Sequence, residues 1–123
     1  MCPGTHSPVT FYTGWLGRTW DNSSIRHHHT FGYPANFVNG NRYSRVCAAE
    51  SYPSGVDLGM GCDMKNSSDG GPWVLRFAPY VNNPASYNRV NAVTRTWVAA
   101  SPNIYGTRFT AANIVPLCAA IGC

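Results

Sequence analysis

The stretch CDMKNSSDGGPWVLRF, residues 62–77, concentrates the side chains best suited to chemistry. Two adjacent hydroxyls, Ser67 and Ser68, precede the carboxylate of Asp69 and the pair Gly70-Gly71. A serine hydroxyl attacks only when a base removes its proton, usually an imidazole within hydrogen-bond reach that a carboxylate orients. The chain has four histidines: His6 and the run His27-His28-His29. His6 has no identifiable partner. On a strand, side chains alternate faces, so His27 and His29 share a side and His28 points away. That pair is a weak metal candidate, with Asp21 or Asp57 as a further donor that no spacing supports. Two histidines leave zinc short of ligands. The simpler reading is partly exposed strand histidines without a metal, and no cofactor is expected.

The elements that must position these residues are β. Residues 9–16 (VTFYTGWL) are rich in β-branched and aromatic types, and Asp21-Asn22-Ser23-Ser24 ends that run. A second strand is expected over about 25–32, stopping at Gly32-Tyr33-Pro34. Asn39-Gly40-Asn41 is a hairpin signal ahead of RYSRVC, residues 42–47. A loop through Pro53-Ser54-Gly55 leads to a strand at 56–62, and others follow at 73–79 and 89–98. In the last of these Val90, Ala92, Thr94 and Thr96 share one face. Thr110 is a candidate N-cap for a short helix, about 110–121, which Pro116 should bend or interrupt. Six short antiparallel strands bury a small core best as a closed barrel. The expectation is an all-β fold: one domain over residues 1–123, a six-stranded antiparallel Greek-key barrel with a short C-terminal helix.

Composition agrees with one modest core. The chain has 123 residues, 44% of them hydrophobic and 13% aromatic, and only 11% charged with a single lysine, Lys65. The formal charge of +4 comes from arginines spread along the chain without a basic run, which argues against nucleic-acid binding. No apolar run reaches the ~18 residues of a membrane-spanning helix, and no signal peptide is seen, so a mature or trimmed secreted product is expected. Five cysteines point to an oxidising compartment. The sequons Asn22-Ser23-Ser24 and Asn66-Ser67-Ser68 agree with secretion and make Asn22 and Asn66 candidate glycosylation sites.

The order of elements and the 62–73 motif together resemble the C-terminal lobe of secreted trypsin-like (chymotrypsin-fold) serine peptidases, especially the group related to glutamyl endopeptidases. That group carries a signature close to C-D-M-T-G-G-S-S-G-G-P-W, and this chain reads CDMKNSSDGGPW. Phe31-Gly32-Tyr33-Pro34 is similar to the group's F-G-Y-P, Gly40 to Cys47 to its hairpin ending in cysteine, and Tyr105-Gly106 to the segment before its final helix. The resemblance covers roughly residues 10–120. It implies a disulfide between Cys47 and Cys62, leaving Cys2, Cys118 and Cys123 with one thiol unpaired or bridged to another chain. It implies one lobe of a two-lobed enzyme whose catalytic histidine and aspartate belong to the other lobe.

Aligned without a gap, the nucleophile position holds Asp69. A carboxylate there cannot be activated as a hydroxyl is, and it opposes a developing oxyanion. Ser68 as a displaced nucleophile would face away from the cleft. Asp69 is expected to accept hydrogen bonds from the Gly70 and Gly71 amides, the alternative being that it binds a cationic group. No catalytic residue is therefore expected, and Asp69, Gly70, Gly71 and Ser68 read as a degenerate site. The apolar face meant for the missing lobe should be covered by another copy, as a homo-oligomer or filament, or by a partner chain. The leading expectation is a secreted, inactive structural or binding subunit. The alternatives are half of a serine endopeptidase completed by another chain, and a carbohydrate-binding or adhesion module using Trp15, Trp20, Trp73 and Trp97.

Overall fold

A computed structural model describes residues 16–22, 25–38, 42–81 and 87–122. Its strands are β1 (Gly17–Arg18), β2 (His27–Gly32), β3 (Arg45–Ser54), β4 (Asp57–Gly61), β5 (Pro72–Leu75), β6 (Arg89–Trp97) and β7 (Asn103–Arg108), followed by helix α1 (Ala111–Ile121). Along β2 the period-2 rule sorts the side chains: His28, Thr30 and Gly32 are buried, while His27, His29 and Phe31 lie on the other side. Strand β4 is buried over Asp57, Leu58, Gly59 and Met60 because it lies between two neighbours and under the core.

Hydrogen-bonded neighbours run β6-β5-β2-β3-β4-β7, and β6 also pairs with β7, so the six antiparallel strands close into a barrel. β2, β3 and β4 follow one another, and β5 then returns to lie beside β2, which is the Greek-key order. The short β1 adds in parallel to the edge of β6, Gly17 opposite Arg89. The expected count of six barrel strands holds, with different members. Residues 9–15 and the Asn39-Gly40-Asn41 turn lie outside the described residues, and the sixth barrel strand is β7, a segment absent from the sequence expectation. β3 also runs on past the expected 42–47 as far as Ser54, through Pro53, and turns tightly at Gly55-Val56 with Gly55 left-handed at φ 62°.

Leu58, Met60, Met64, Trp73, Ala92 and Ile104 fill the barrel. The Trp73 indole N–H donates to Thr94 Oγ1 at 2.9 Å, so its one polar atom is satisfied inside the core. Gly106 on β7 admits that ring; a Cβ there would stand 2.8 Å from Trp73 Cε2. Cys47 on β3 is bonded to Cys62 just after β4, closing a loop with a sequence separation of 15. A closure of that length stabilises by roughly 3 kcal/mol through the unfolded chain.

Helix α1 starts at Thr110, whose N–H donates to Asn113 Oδ1 at 2.8 Å, and the Ala111 N–H donates to the Asp21 carboxylate at 3.2 Å. An acid at the helix N-terminus matches the positive end of its dipole. The helix stops at Gly122, left-handed at φ 70°. Pro116 neither ends nor interrupts it. Its missing N–H leaves only the carbonyl of exposed Ala112 without a helical donor, and water can serve that oxygen.

Candidate functional site

The loop from Cys62 to Pro72 is held by hydrogen bonds from segments remote in sequence. Asn36 grips it twice: Lys65 N–H donates to Asn36 Oδ1 and Asn36 Nδ2 donates to the Asp63 carbonyl, both at 2.8 Å. Ala35 N–H donates to the Asn66 carbonyl at 3.0 Å, and Cys62 N–H to the Pro102 carbonyl at 2.8 Å. Between these anchors Asn66 and Ser67 are both left-handed, at φ 45° and 61°. A serine in that region costs on the order of 1 kcal/mol, so the anchoring must hold the turn against its local preference.

Three backbone bonds set the tip. Gly70 N–H donates to the Thr94 carbonyl at 2.8 Å, Thr94 N–H to the Gly71 carbonyl at 2.9 Å, and Gly71 N–H to the Ser68 carbonyl at 3.2 Å. The expected bonds from these two glycine amides to Asp69 are therefore corrected: β6 and the loop's own backbone take them first. Any side chain at Gly71 would collide with the Phe31 carbonyl. Asp69 is exposed, whereas Ser68 retains 3% exposure and its hydroxyl oxygen has no hydrogen-bond partner. A cavity of about 260 Å3 runs alongside, lined by Phe31, Gly32, Tyr33 and residues 67–72. None of the histidines lines it among the described residues.

His28 is fully buried and packs edge-on to Trp73, 5.7 Å between ring centroids. Its Nδ1 lies 3.2 Å from the Arg26 carbonyl and its Nε2 3.2 Å from Asn91 Oδ1. Burial, the largest influence, holds its pKa below 6.5, so the neutral ring is favoured and has one N–H to give. Two facing oxygens cannot both be satisfied by one proton, and the buried Asn91 Nδ2 lacks an acceptor. Turning the Asn91 amide by half a revolution resolves both, and we assign Nδ1–H to the Arg26 carbonyl and Asn91 Nδ2–H to Nε2. The expectation of partly exposed strand histidines is therefore corrected for His28, which is a core residue because its side of β2 faces the barrel interior.

His27 and His29 share the outer face of β2, with ring centroids 5.2 Å apart, and Phe77 packs on His29 at 5.2 Å and on Phe31 at 5.0 Å. The acids considered as additional metal donors are engaged elsewhere: Asp57 pairs with Arg95 and Asp21 caps α1. Among the described residues the one grouping of three donors close enough for a metal is Cys47, Cys62 and Asp63, and both sulfurs belong to the disulfide. Cys118 is disulfide-bonded too, while Cys2, Cys123 and His6 lie outside the described residues.

Asn66 is exposed, whereas Asn22 is half-buried and its Nδ2 donates to Thr19 Oγ1 and the Trp20 carbonyl. The tryptophans do not form one platform. Trp73 is in the core, Trp97 at the end of β6 lies against Lys65, and Trp20 sits by Arg18 near the start of β6; Trp15 lies outside the described residues. One arrangement had no sequence signal. Arg26, Arg76 and Arg89, far apart in the chain, converge with His27 and His29 around a cavity of about 660 Å3.

Neither a family model nor a curated protein matches this chain. Among solved structures it is similar to the protease Anisep from Arthrobacter nicotinovorans, with a TM-score of 0.67 and 22% identity over 89% of this chain and 50% of that one. It is also similar to the thermostable serine protease AL20 from an extremophilic microorganism, with a TM-score of 0.63 and 18% identity over 84% of this chain and 47% of that one. The chain folds as one trypsin-like lobe. This trypsin-like lobe spans about half the length of the structures it matches. In it, the loop carrying Asp69 is braced by β6 through Thr94 and by the β2 end through Phe31.

Proposed function

We propose that this chain is a secreted trypsin-like lobe without serine-peptidase activity, acting as a structural or binding subunit that self-associates. One observation carries the reading: the loop tip offers a carboxylate, Asp69, to solvent and buries its neighbouring hydroxyl, Ser68. A carboxylate at that tip supports no alkoxide attack, and among the described residues no imidazole lines the cavity beside the buried Ser68 hydroxyl. The disulfide pairing of Cys47 with Cys62 supports an oxidising destination. The face next to the loop supports association, because Tyr33 and Val46 there are 54% and 56% exposed and Val46 stands opposite Phe31 in the sheet. Apolar side chains grouped this way favour a partner surface.

The test is covalent labelling with a fluorophosphonate, read by intact mass. The expected result is no adduct on the folded protein; an adduct mapping to Ser67 or Ser68 would overturn the reading. The half-length match favours a second reading, in which another chain completes a serine endopeptidase. Labelling of Ser68 that appears only with co-purified partner present is the result that would favour it.

A further inference from the structure

At the end of β2 away from the Asp69 loop, the fold assembles positive charge around an open cavity of about 660 Å3. That volume is within the roughly 300–1,000 Å3 of small-molecule sites. Its lining includes the guanidinium-bearing Arg26, Arg76 and Arg89, the imidazoles of His27 and His29, and the apolar wall of Leu75 and Phe77. No acidic residue is among the described lining. Glu50 stands opposite His27 on β3 but does not line the space.

The frame that presents these charges is braced. Arg76 is left-handed at φ 49° and Asn88, which leads into β6, is left-handed at φ 53°. Asn88 ties the two together. Its N–H donates to the Arg76 carbonyl at 3.2 Å, its Nδ2 donates to the Ala78 carbonyl at 2.8 Å, and its Oδ1 accepts from Ala78 N–H at 2.7 Å. Arg89 reaches across to donate to the Arg18 carbonyl at 3.2 Å. Holding like charges together on a braced rim is unfavourable until an anion enters. Guanidinium forks match the geometry of phosphate oxygens, and the aromatic side of Phe77, tilted against His29, suits a flat apolar body.

We infer that this cavity is a binding site for a small molecule carrying a doubly charged phosphate ester on a ring-sized apolar body. The tips of Arg26 and Arg76 contact the phosphate and Phe77 contacts the body. The inference does not depend on whether the Asp69 loop is inert.

Titration with phenyl phosphate, followed by calorimetry at fixed salt on the whole chain, tests it. Saturable binding is expected, at least tenfold tighter than that of benzoate or phenol and weakened by added salt. Arg76→Gly, which keeps the left-handed backbone accessible, and Arg26→Ala should each weaken it about tenfold with an unchanged circular dichroism spectrum. Absence of binding at millimolar phenyl phosphate, equal affinity for benzoate, or full affinity in both folded variants would overturn the proposal.

Discussion

At the loop tip Asp69 is exposed and Ser68 is buried, and the tightest packing beside them is at Gly71. Gly71 lies so close under the Phe31 carbonyl that its hydrogen is the only tolerable substituent. Gly71→Ala must push β2 away from the loop, and we expect a loss of ~3 kcal/mol in urea denaturation, typical of overpacking against backbone. His28 gives a second residue-level outcome, with its sign fixed by burial. Its folded pKa is depressed below 6.5, so the unfolded chain binds the proton more readily. The stability it contributes is complete above about pH 6.5 and declines as pH falls from there toward the folded pKa, then levels off. In denaturation curves from pH 8 to 5, His28→Gln should start less stable than the natural chain and lose less across that interval. A parallel pH profile in the two proteins would show that His28 is not the buried titrating group.

At the scale of elements, the site depends on how strand ends are joined. The segment after β1 is attached to α1 through Asp21, whose carboxylate accepts from Ala111 N–H, while Asp21 N–H donates to the Phe109 carbonyl. Asp21→Ala removes both a cap and a dipole-matched charge, and a loss of ~1 kcal/mol is expected in the thermal or urea transition. The β6 bulge next to Arg95 acts in a similar way, since it turns that guanidinium toward Asp57 across β7. Much at this scale was legible in the residues. Alternation along His27–Gly32 put His27 and His29 on one side and His28 on the other, though not which side is the core, and the strand at 89–98 matches β6. β7 was missed because Gly106 interrupts its run of β-formers. The reason for that glycine, room for Trp73, lies on another strand.

For the whole molecule, Tyr33 and Val46 stand exposed, with Val46 opposite Phe31 in the sheet, and the proposed self-association assigns them a partner surface. Sedimentation velocity over a hundredfold concentration range should show a concentration-dependent shift from monomer to a larger species. Val46→Glu should hold the chain monomeric at every concentration without unfolding it. A natural chain that stays monomeric throughout would remove self-association from the proposed role.

Residue types and their order alone determined the β architecture, the terminal helix and the motif resemblance that sets Asp69 where a hydroxyl is expected. These follow from local rules: side-chain alternation, turn chemistry, and the match of a short contiguous motif. Tertiary structure alone decided where the glycine amides of the loop go, that Ser68 is sealed, and that three distant arginines meet two histidines around one cavity. Those outcomes depend on which strands become neighbours when the barrel closes, and strand pairing across more than sixty residues leaves no local trace in the chain, as Gly17 beside Arg89 illustrates.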